Sequence, residues 1–336
     1  MRIALASLIL LLTATNAEAI KEEQLEQAWS TTLRPFIHRG NALSFEGAGG
    51  VVLKGRHFPH PKARASLIFL SGFSEPWIKY GELLHDLHQE GFEIYTYDHR
   101  GQGASPRGSQ SHAGAVHIRR FEDYVEDLER FISIQTRSST RKKWNILAHS
   151  MGGAIALAYL EKHPETRIRR FALNAPMLAM KTDPLPRSWA LGLASLLTRW
   201  GAGEHFAPTK GPFEPDRPFA SNPVTSSEIR YKLEQRMVRE FPGVWVGGPT
   251  NAWVAEAIRA SAGIARIRER IQRPLLMLLP SDDRFAQVDE LSGLCGKLEP
   301  LCRAVRFEGA KHEIFVEGDR FRNPALTTVL EFLEAP

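Results

Sequence analysis

The chain has 336 residues, of which 43% are hydrophobic and 24% charged, and its net charge is +5. This composition allows a large core in one or two domains and excludes disordered, collagen-like and coiled-coil chains. Its lysines and arginines are scattered and no zinc spacing or RNA-reading aromatic motif accompanies them, so nucleic acid is not an expected partner and the mild basicity reads as solubility.

Residues 1–19 read as a secretory signal peptide. Met1-Arg2 is a short basic start, Ile3–Leu12 an apolar run interrupted by Ser7, and Ala17-Glu18-Ala19 a small-residue cleavage site. The run is shorter than the ~20 residues that a bilayer crossing needs, and no later segment reads as transmembrane. The mature protein is therefore expected to be exported, either periplasmic or secreted, with adherence to a membrane left open. Cys295 and Cys302 are the two cysteines, and their pairing stays open at this stage.

Lys21–His38 reads as a surface helix. Leu43–Phe45 and Val51–Phe58 flank Gly47-Ala48-Gly49-Gly50 as a hairpin. Apolar strands then alternate with amphipathic helices: strand Ser66–Leu70, helix Pro76–Glu90, strand Phe92–Tyr97, helix Phe121–Gln135, strand Trp144–Leu147, helix Met151–Lys162, strand Arg170–Leu173. This rhythm specifies an α/β fold with a mostly parallel sheet covered on both faces. It stops over 177–272, a stretch rich in proline, tryptophan and arginine, and resumes with strands Pro274–Leu279 and Ala304–Phe307 and a helix near Ala325–Leu333. The core is thus expected over 20–176 and 273–336. The stretch 177–272 is expected to form an inserted cap over the carboxyl edge of the sheet, where ligands of open α/β sheets bind.

The chemistry is expected where strand Trp144–Leu147 meets Ala148-His149-Ser150-Met151-Gly152-Gly153. Small residues around a serine at a strand-to-helix turn describe a nucleophile elbow, with Ser150 exposed at the sheet edge and a helix N-terminus behind it. A serine needs a base, and the base an orienting acid, in the order Ser, Asp/Glu, His on this architecture. The loop after Pro274–Leu279 offers Asp282 and Asp283. The loop after Ala304–Phe307 offers His312, the only histidine after His205. An oxyanion hole would combine the Met151 N–H with that of Phe73, in the turn Ser71-Gly72-Phe73-Ser74. Asp98-His99-Arg100-Gly101 reads as a structural turn beside the site, and His85 with His88 as a packed or solvated pair, so no metal is expected. In 177–272, Trp189, Leu193, Leu196, Leu197 and Trp200 recur at helical spacing. They form either a packed helix face or an apolar surface for an acyl chain or a membrane, with Trp189, Leu193 and Trp200 as the candidate substrate contacts.

Several segments together resemble the bacterial lysophospholipase and monoglyceride lipase group of α/β-hydrolases. They are YDHRGQGAS at Tyr97–Ser105, AHSMGG at Ala148–Gly153, GAKHEIFVE at Gly309–Glu317, NPVTSSEIRY at Asn222–Tyr231 and VGGPTNAWVAEA at Val246–Ala257. The resemblance implies an α/β-hydrolase fold, Ser150 as nucleophile and His312 as base. Its spacing for the acid lands on Asp283, with Pro280 replacing the usual glycine and Asp282 as runner-up. The usual His-Gly of the oxyanion loop is Ser71-Gly72 here. What it implies is an exported serine carboxylic-ester hydrolase, cofactor-free, acting on a lipid with one acyl chain. Lysophospholipid comes first and monoacylglycerol second. A short-chain esterase, peptidase or thioesterase with the same triad, or a catalytically dead lipid-binding protein, are the other readings.

Overall fold

The structure, a computed structural model, describes residues 19–112, 114–178, 180–264 and 270–335. Residues 1–18, which carry nearly all of the expected signal peptide, lie outside the described residues. Eight strands form one sheet: β1 Asn41–Glu46, β2 Val52–Phe58, β3 Ala65–Leu70, β4 Phe92–Tyr97, β5 Trp144–His149, β6 Ile168–Asn174, β7 Leu275–Pro280 and β8 Cys302–Phe307, in spatial order β1-β2-β4-β3-β5-β6-β7-β8. The β1–β2 and β2–β4 pairs are antiparallel, and the remaining pairs are parallel. Every residue of β3, β4, β5 and β7 is buried, as continuous apolar strands between two helical layers must be.

One layer contains α4 (Glu122–Ser138), α5 (Met151–Lys162) and α9 (Val288–Gly296). It packs Phe131, Ile155, Leu157 and Leu291 against Ile146, Leu173 and Met277 of the sheet. The opposite layer contains α3 (Gly81–Gln89) and α10 (Asp319–Glu334), which pack Leu84, Leu87, Leu326 and Leu330 against Leu67, Ile94, Leu147 and Leu276. Each such side chain contributes about 1.5–3 kcal/mol on burial. The segment expected as a surface helix over Lys21–His38 is a helical run containing α1 (Leu25–Ala28) and α2 (Arg34–Arg39), and it buries Leu25, Trp29 and Leu33 in this second layer. Cys295 of α9 and Cys302 of β8 form a disulfide.

Between β6 and β7 the chain forms α6 (Arg187–Leu197), α7 (Glu228–Glu240) and α8 (Asn251–Ile264). These helices do not share one core. α8 carries Trp253 and Ala257 into the layer of α4 and α5, whereas α7 carries Leu233, Met237 and Val238 into the layer of α3. Two buried guanidiniums fasten α7 and α10 to α3. Arg230 bonds to Glu82 at 2.9 Å and Asp319 at 2.7 Å, and Arg322 bonds to Asp86 at 2.6 Å. Parallel register brings the last residues of β3, β5, β6, β7 and β8 to one edge, where Leu70 pairs Ala148, His149 pairs Asn174 and Pro280 pairs Phe307. The loops leaving that edge carry every residue expected to do chemistry.

Candidate active site

Ser150 joins β5 to α5 with φ 48° and ψ −112°, a left-handed backbone that a residue with a side chain adopts only when its surroundings hold it there. They do. The Ser150 N–H donates to Asn174 O at 2.9 Å, and its carbonyl accepts from Met177 N at 2.9 Å and Gly153 N at 3.0 Å. The small neighbours are required: a Cβ on Gly152 would lie 2.6 Å from Ser71 O, and one on Gly153 2.9 Å from Pro176 Cβ.

His312 approaches from the loop after β8. Its Nε2 lies 3.1 Å from Ser150 Oγ and its Nδ1 2.7 Å from Asp283 Oδ2. The second Asp283 oxygen accepts from Phe285 N at 2.6 Å and Ala286 N at 3.1 Å. Burial raises the Asp283 carboxyl, but His312 and these N–H groups outweigh it and leave it below the ordinary aspartate value. Asp283 is therefore a buried anion that keeps the His312 proton on Nδ1 and turns Nε2 toward the serine. Asp282 is exposed, and among the described residues the carboxylate bonded to the imidazole is that of Asp283.

The turn after β3 is held from several sides. His99 Nε2 donates to Ser71 O at 3.2 Å, and burial pushes this imidazole down to about 4, so it is neutral. Gln102 Nε2 donates to Gly72 O at 3.0 Å, while its Oε1 accepts from Ser74 N at 2.8 Å. The peptide is trans, so fixing the Gly72 carbonyl toward Gln102 aims the Phe73 N–H the opposite way. Among the described residues neither the Phe73 nor the Met151 N–H meets an acceptor, which leaves both available to an oxyanion. Asp98 accepts from Trp77 N and Ala104 N, both at 2.8 Å, and Arg100 pairs with Asp127 at 2.7 Å. The Asp98–Gly103 turn thus acts as a brace for the loop that carries Phe73.

A cluster that the sequence reading missed lies beneath. Glu75 Oε2 accepts from Gly72 N at 2.8 Å and Tyr80 OH at 2.9 Å, and Oε1 from Lys79 Nζ at 3.0 Å. Lys79 also bonds to Glu313 at 2.7 Å. Burial drives the His149 imidazole down to about 3. Its Nδ1 accepts from Asn174 Nδ2 at 2.8 Å, so Nε2 carries the proton and faces Glu75 at 3.8 Å. Glu75, His149 and Glu313 bring possible metal-ligand atoms within 4.8 Å of one another, but Lys79 already serves two of those carboxylates as their cation.

Residues 61–319 match the family described as serine aminopeptidase, S33. The chain belongs to that family. It is 32% identical over 309 residues to lysophospholipase L2 of Escherichia coli K12, covering 89% of each chain. It is 28% identical over 317 residues to the probable lysophospholipase L2 of Haemophilus influenzae, covering 94% of this chain and 98% of that one. A soluble variant of Saccharomyces cerevisiae monoglyceride lipase, solved with a substrate analogue, superposes with a TM-score of 0.68 at 18% identity, over 88% of this chain and 96% of that one. The fold is the α/β-hydrolase fold.

Within this S33 family frame, one group of expected site residues falls elsewhere. Among the described residues, the pocket beside α6 is not lined by Trp189, Leu193 or Trp200. Trp189 and Trp200 are 71% and 74% exposed, and with Leu185, Leu193 and Leu196 they form a stripe facing solvent. The other side of α6 offers Leu191, Ser188 and Arg187 to a largely apolar pocket of about 300 Å³, closed by Met180, Ile258 and Ser261. Helical spacing identifies a stripe but not which way it faces. Adjacency in sequence offered a faint signal for the buried cluster: Glu313 follows His312, and Glu75 and Lys79 are four apart just beyond the oxyanion turn.

Proposed function

We propose that the chain is an exported serine carboxylic-ester hydrolase that frees the fatty acid from a single-acyl lipid, with lysophospholipid as the preferred class. The observation that carries this reading is the continuous bonding of Asp283 to His312 to Ser150. The lysophospholipase relatives support the lipid class.

In this mechanism His312 Nε2 removes the Ser150 proton as Oγ attacks the ester carbonyl. The Phe73 and Met151 N–H groups receive the oxyanion, where removing one such donor typically costs about 10²–10³-fold in rate. Asp283 stabilises the imidazolium that forms. His312 then protonates the departing alcohol, and water activated by the same nitrogen cleaves the acyl-enzyme. The pocket between α6 and α8 supplies an apolar wall for the acyl chain, tied to Ser150 through Met177, whose N–H and carbonyl reach Ser150 and Ser261. The exposed stripe Leu185, Trp189, Leu193, Leu196 and Trp200 is the proposed contact with a lipid surface. Export is supported by the leader composition and by the disulfide.

The test is hydrolysis of lysophosphatidylcholine, lysophosphatidylethanolamine, monoolein and short-chain aryl esters by the purified protein and by Ser150→Ala. Fatty-acid release from the lysophospholipids that disappears in Ser150→Ala is the expected result. Turnover confined to acetate and butyrate esters would remove the lipid assignment. Preference for monoolein would move the substrate to monoacylglycerol.

A further inference from the structure

The buried cluster under the active site has no step in ester hydrolysis, yet it touches both loops that flank the reacting atoms. Glu75 holds Gly72 N–H, the residue before Phe73. Glu313 follows His312. Lys79, in the turn Trp77–Tyr80, bonds to both carboxylates and lies 3.5 Å from a third, Glu234 of α7. We propose that Lys79 is a positioning residue for hydrolysis: through Glu75 and Glu313 it locks the loop that presents the Phe73 N–H to the loop that presents His312. This inference rests on the assignment of Ser150 and His312 as the reacting pair.

The bonds are unequal. Both oxygens of Glu75 are used as acceptors, one by Lys79 and the other by Gly72 N–H and Tyr80 O–H. Burial works against its charge, but Lys79 and the neighbouring His149 hold this carboxyl well below the usual glutamate range. Glu313 is the reverse. Burial, together with Glu75 and Glu234, outweighs Lys79 and raises its carboxyl well above the usual value. Only its Oε1 meets Lys79, and among the described residues its Oε2 has no hydrogen-bond partner. One ammonium therefore bonds both to Glu75, which uses both of its oxygens, and to Glu313, which uses one. The cluster spans the two loops without placing an unpaired charge against His149 and His312, whose rings are 4.8 Å apart.

This asymmetry gives the test. An amide has one acceptor oxygen and one donor group. At position 313 it keeps the one bond the carboxylate makes, accepting from Lys79 through its oxygen. At position 75 it must give up either Lys79 or Gly72. Kinetics on a soluble aryl ester would be measured for Glu75→Gln, Glu313→Gln, Lys79→Gln and Lys79→Arg, with active sites counted by end-point fluorophosphonate labelling and folding checked by thermal melts. Glu75→Gln and Lys79→Gln are expected to lose about 10²-fold in kcat with KM changed less than about threefold, because the reacting groups are displaced while substrate contacts stay. Lys79→Arg is expected to recover a large part of that loss, and Glu313→Gln to lose about tenfold less than Glu75→Gln. Equal losses in Glu75→Gln and Glu313→Gln, or a folded Lys79→Gln with the original kcat, overturn the proposal. Should Lys79→Gln fail to fold, the contrast between the two amide variants still decides. Ser150→Ala assayed in parallel separates the two ideas: hydrolysis surviving in it defeats the nucleophile assignment, whatever the cluster variants do.

Discussion

His312 Nε2 and Ser150 Oγ lie 3.1 Å apart although 162 positions separate them in the chain. The contact exists because β5 and β8 end at the same edge of the sheet and the loops beyond them turn toward each other. Asp283 arrives by the same route from β7, and burial separates it from the exposed Asp282 beside it. Asp283→Asn should reduce kcat by about 10⁴-fold, since an amide at that position no longer stabilises the imidazolium or enforces the proton on Nδ1. Asp282→Asn, exposed and away from the imidazole, should behave as the parent. Side-by-side aryl-ester kinetics check this, and a reversed ranking would make Asp282 the acid.

Asp98 should leave a mark on stability rather than on the reaction. Burial pushes its carboxyl from 3.8 up to about 6, outweighing the N–H bonds from Ala104 and Trp77 and the fields of Arg107 and Arg56. Across that interval the folded protein retains a proton that the unfolded chain has released. Its stabilising share is therefore complete below about pH 4 and lost as pH rises through about 6. The shift corresponds to on the order of 3 kcal/mol between the two limits. Asn at position 98 cannot titrate, and it forfeits one acceptor, since Trp77 N and Ala104 N use different oxygens of Asp98. Urea melts at pH 4 and pH 7 should show Asp98→Asn at its greatest disadvantage at pH 4 and recovering relative to the parent at pH 7. Parallel pH dependence in the two proteins would contradict the raised carboxyl.

Trp189 and Trp200 lose nothing on folding by being replaced, because most of their surface is already in water. The double variant Trp189→Glu/Trp200→Glu should melt within ~2 °C of the parent. If the proposed lipid contact holds, its binding to anionic phosphatidylglycerol vesicles in co-sedimentation should weaken by at least about tenfold, because two exposed indoles are replaced by carboxylates. Unaltered sedimentation would remove the lipid-surface role from this stripe.

How much of this was legible beforehand follows from what each feature depends on. That Ser150 and His312 would meet at one sheet edge was readable because the alternation of strands dictates which loops leave that edge, and because few residues compete for those places. The buried strands β3, β4, β5 and β7 were readable from apolar runs alone. Asp283 over Asp282 was a matter of which side chain turns inward, which adjacent residues cannot reveal. The same limit applies to α6, whose apolar stripe faces solvent. The division of 177–272 between two cores, with Arg230 of α7 buried on Glu82 of α3, is a tertiary fact without a local signature. Lys79, Glu75 and Glu313 come together only once β3 and β8 share an edge.

Gly152 links the elbow to the oxyanion turn most directly. A Cβ there would meet two carbonyl oxygens of the backbone, Ser71 O at 2.6 Å and Leu70 O at 2.8 Å, together with Leu70 Cβ at 2.8 Å. None of these is the free end of a flexible side chain, so relief must come from moving α5 away from β3 or from moving the turn itself. Either movement changes the spacing between the Met151 and Phe73 N–H groups, which belong to those two segments. Overpacking of this kind typically costs about 1–3 kcal/mol in stability, and a displacement near 1 Å costs about 10²-fold in rate. Gly152→Ala is therefore expected to fold with a lowered melting temperature and to lose kcat out of proportion to that loss, with the Ser150 hydroxyl still labelled, slowly, by a fluorophosphonate. A folded Gly152→Ala with the parental kcat would mean that the turn after β3 does not contribute a donor to the oxyanion, and Phe73 would lose its assigned role.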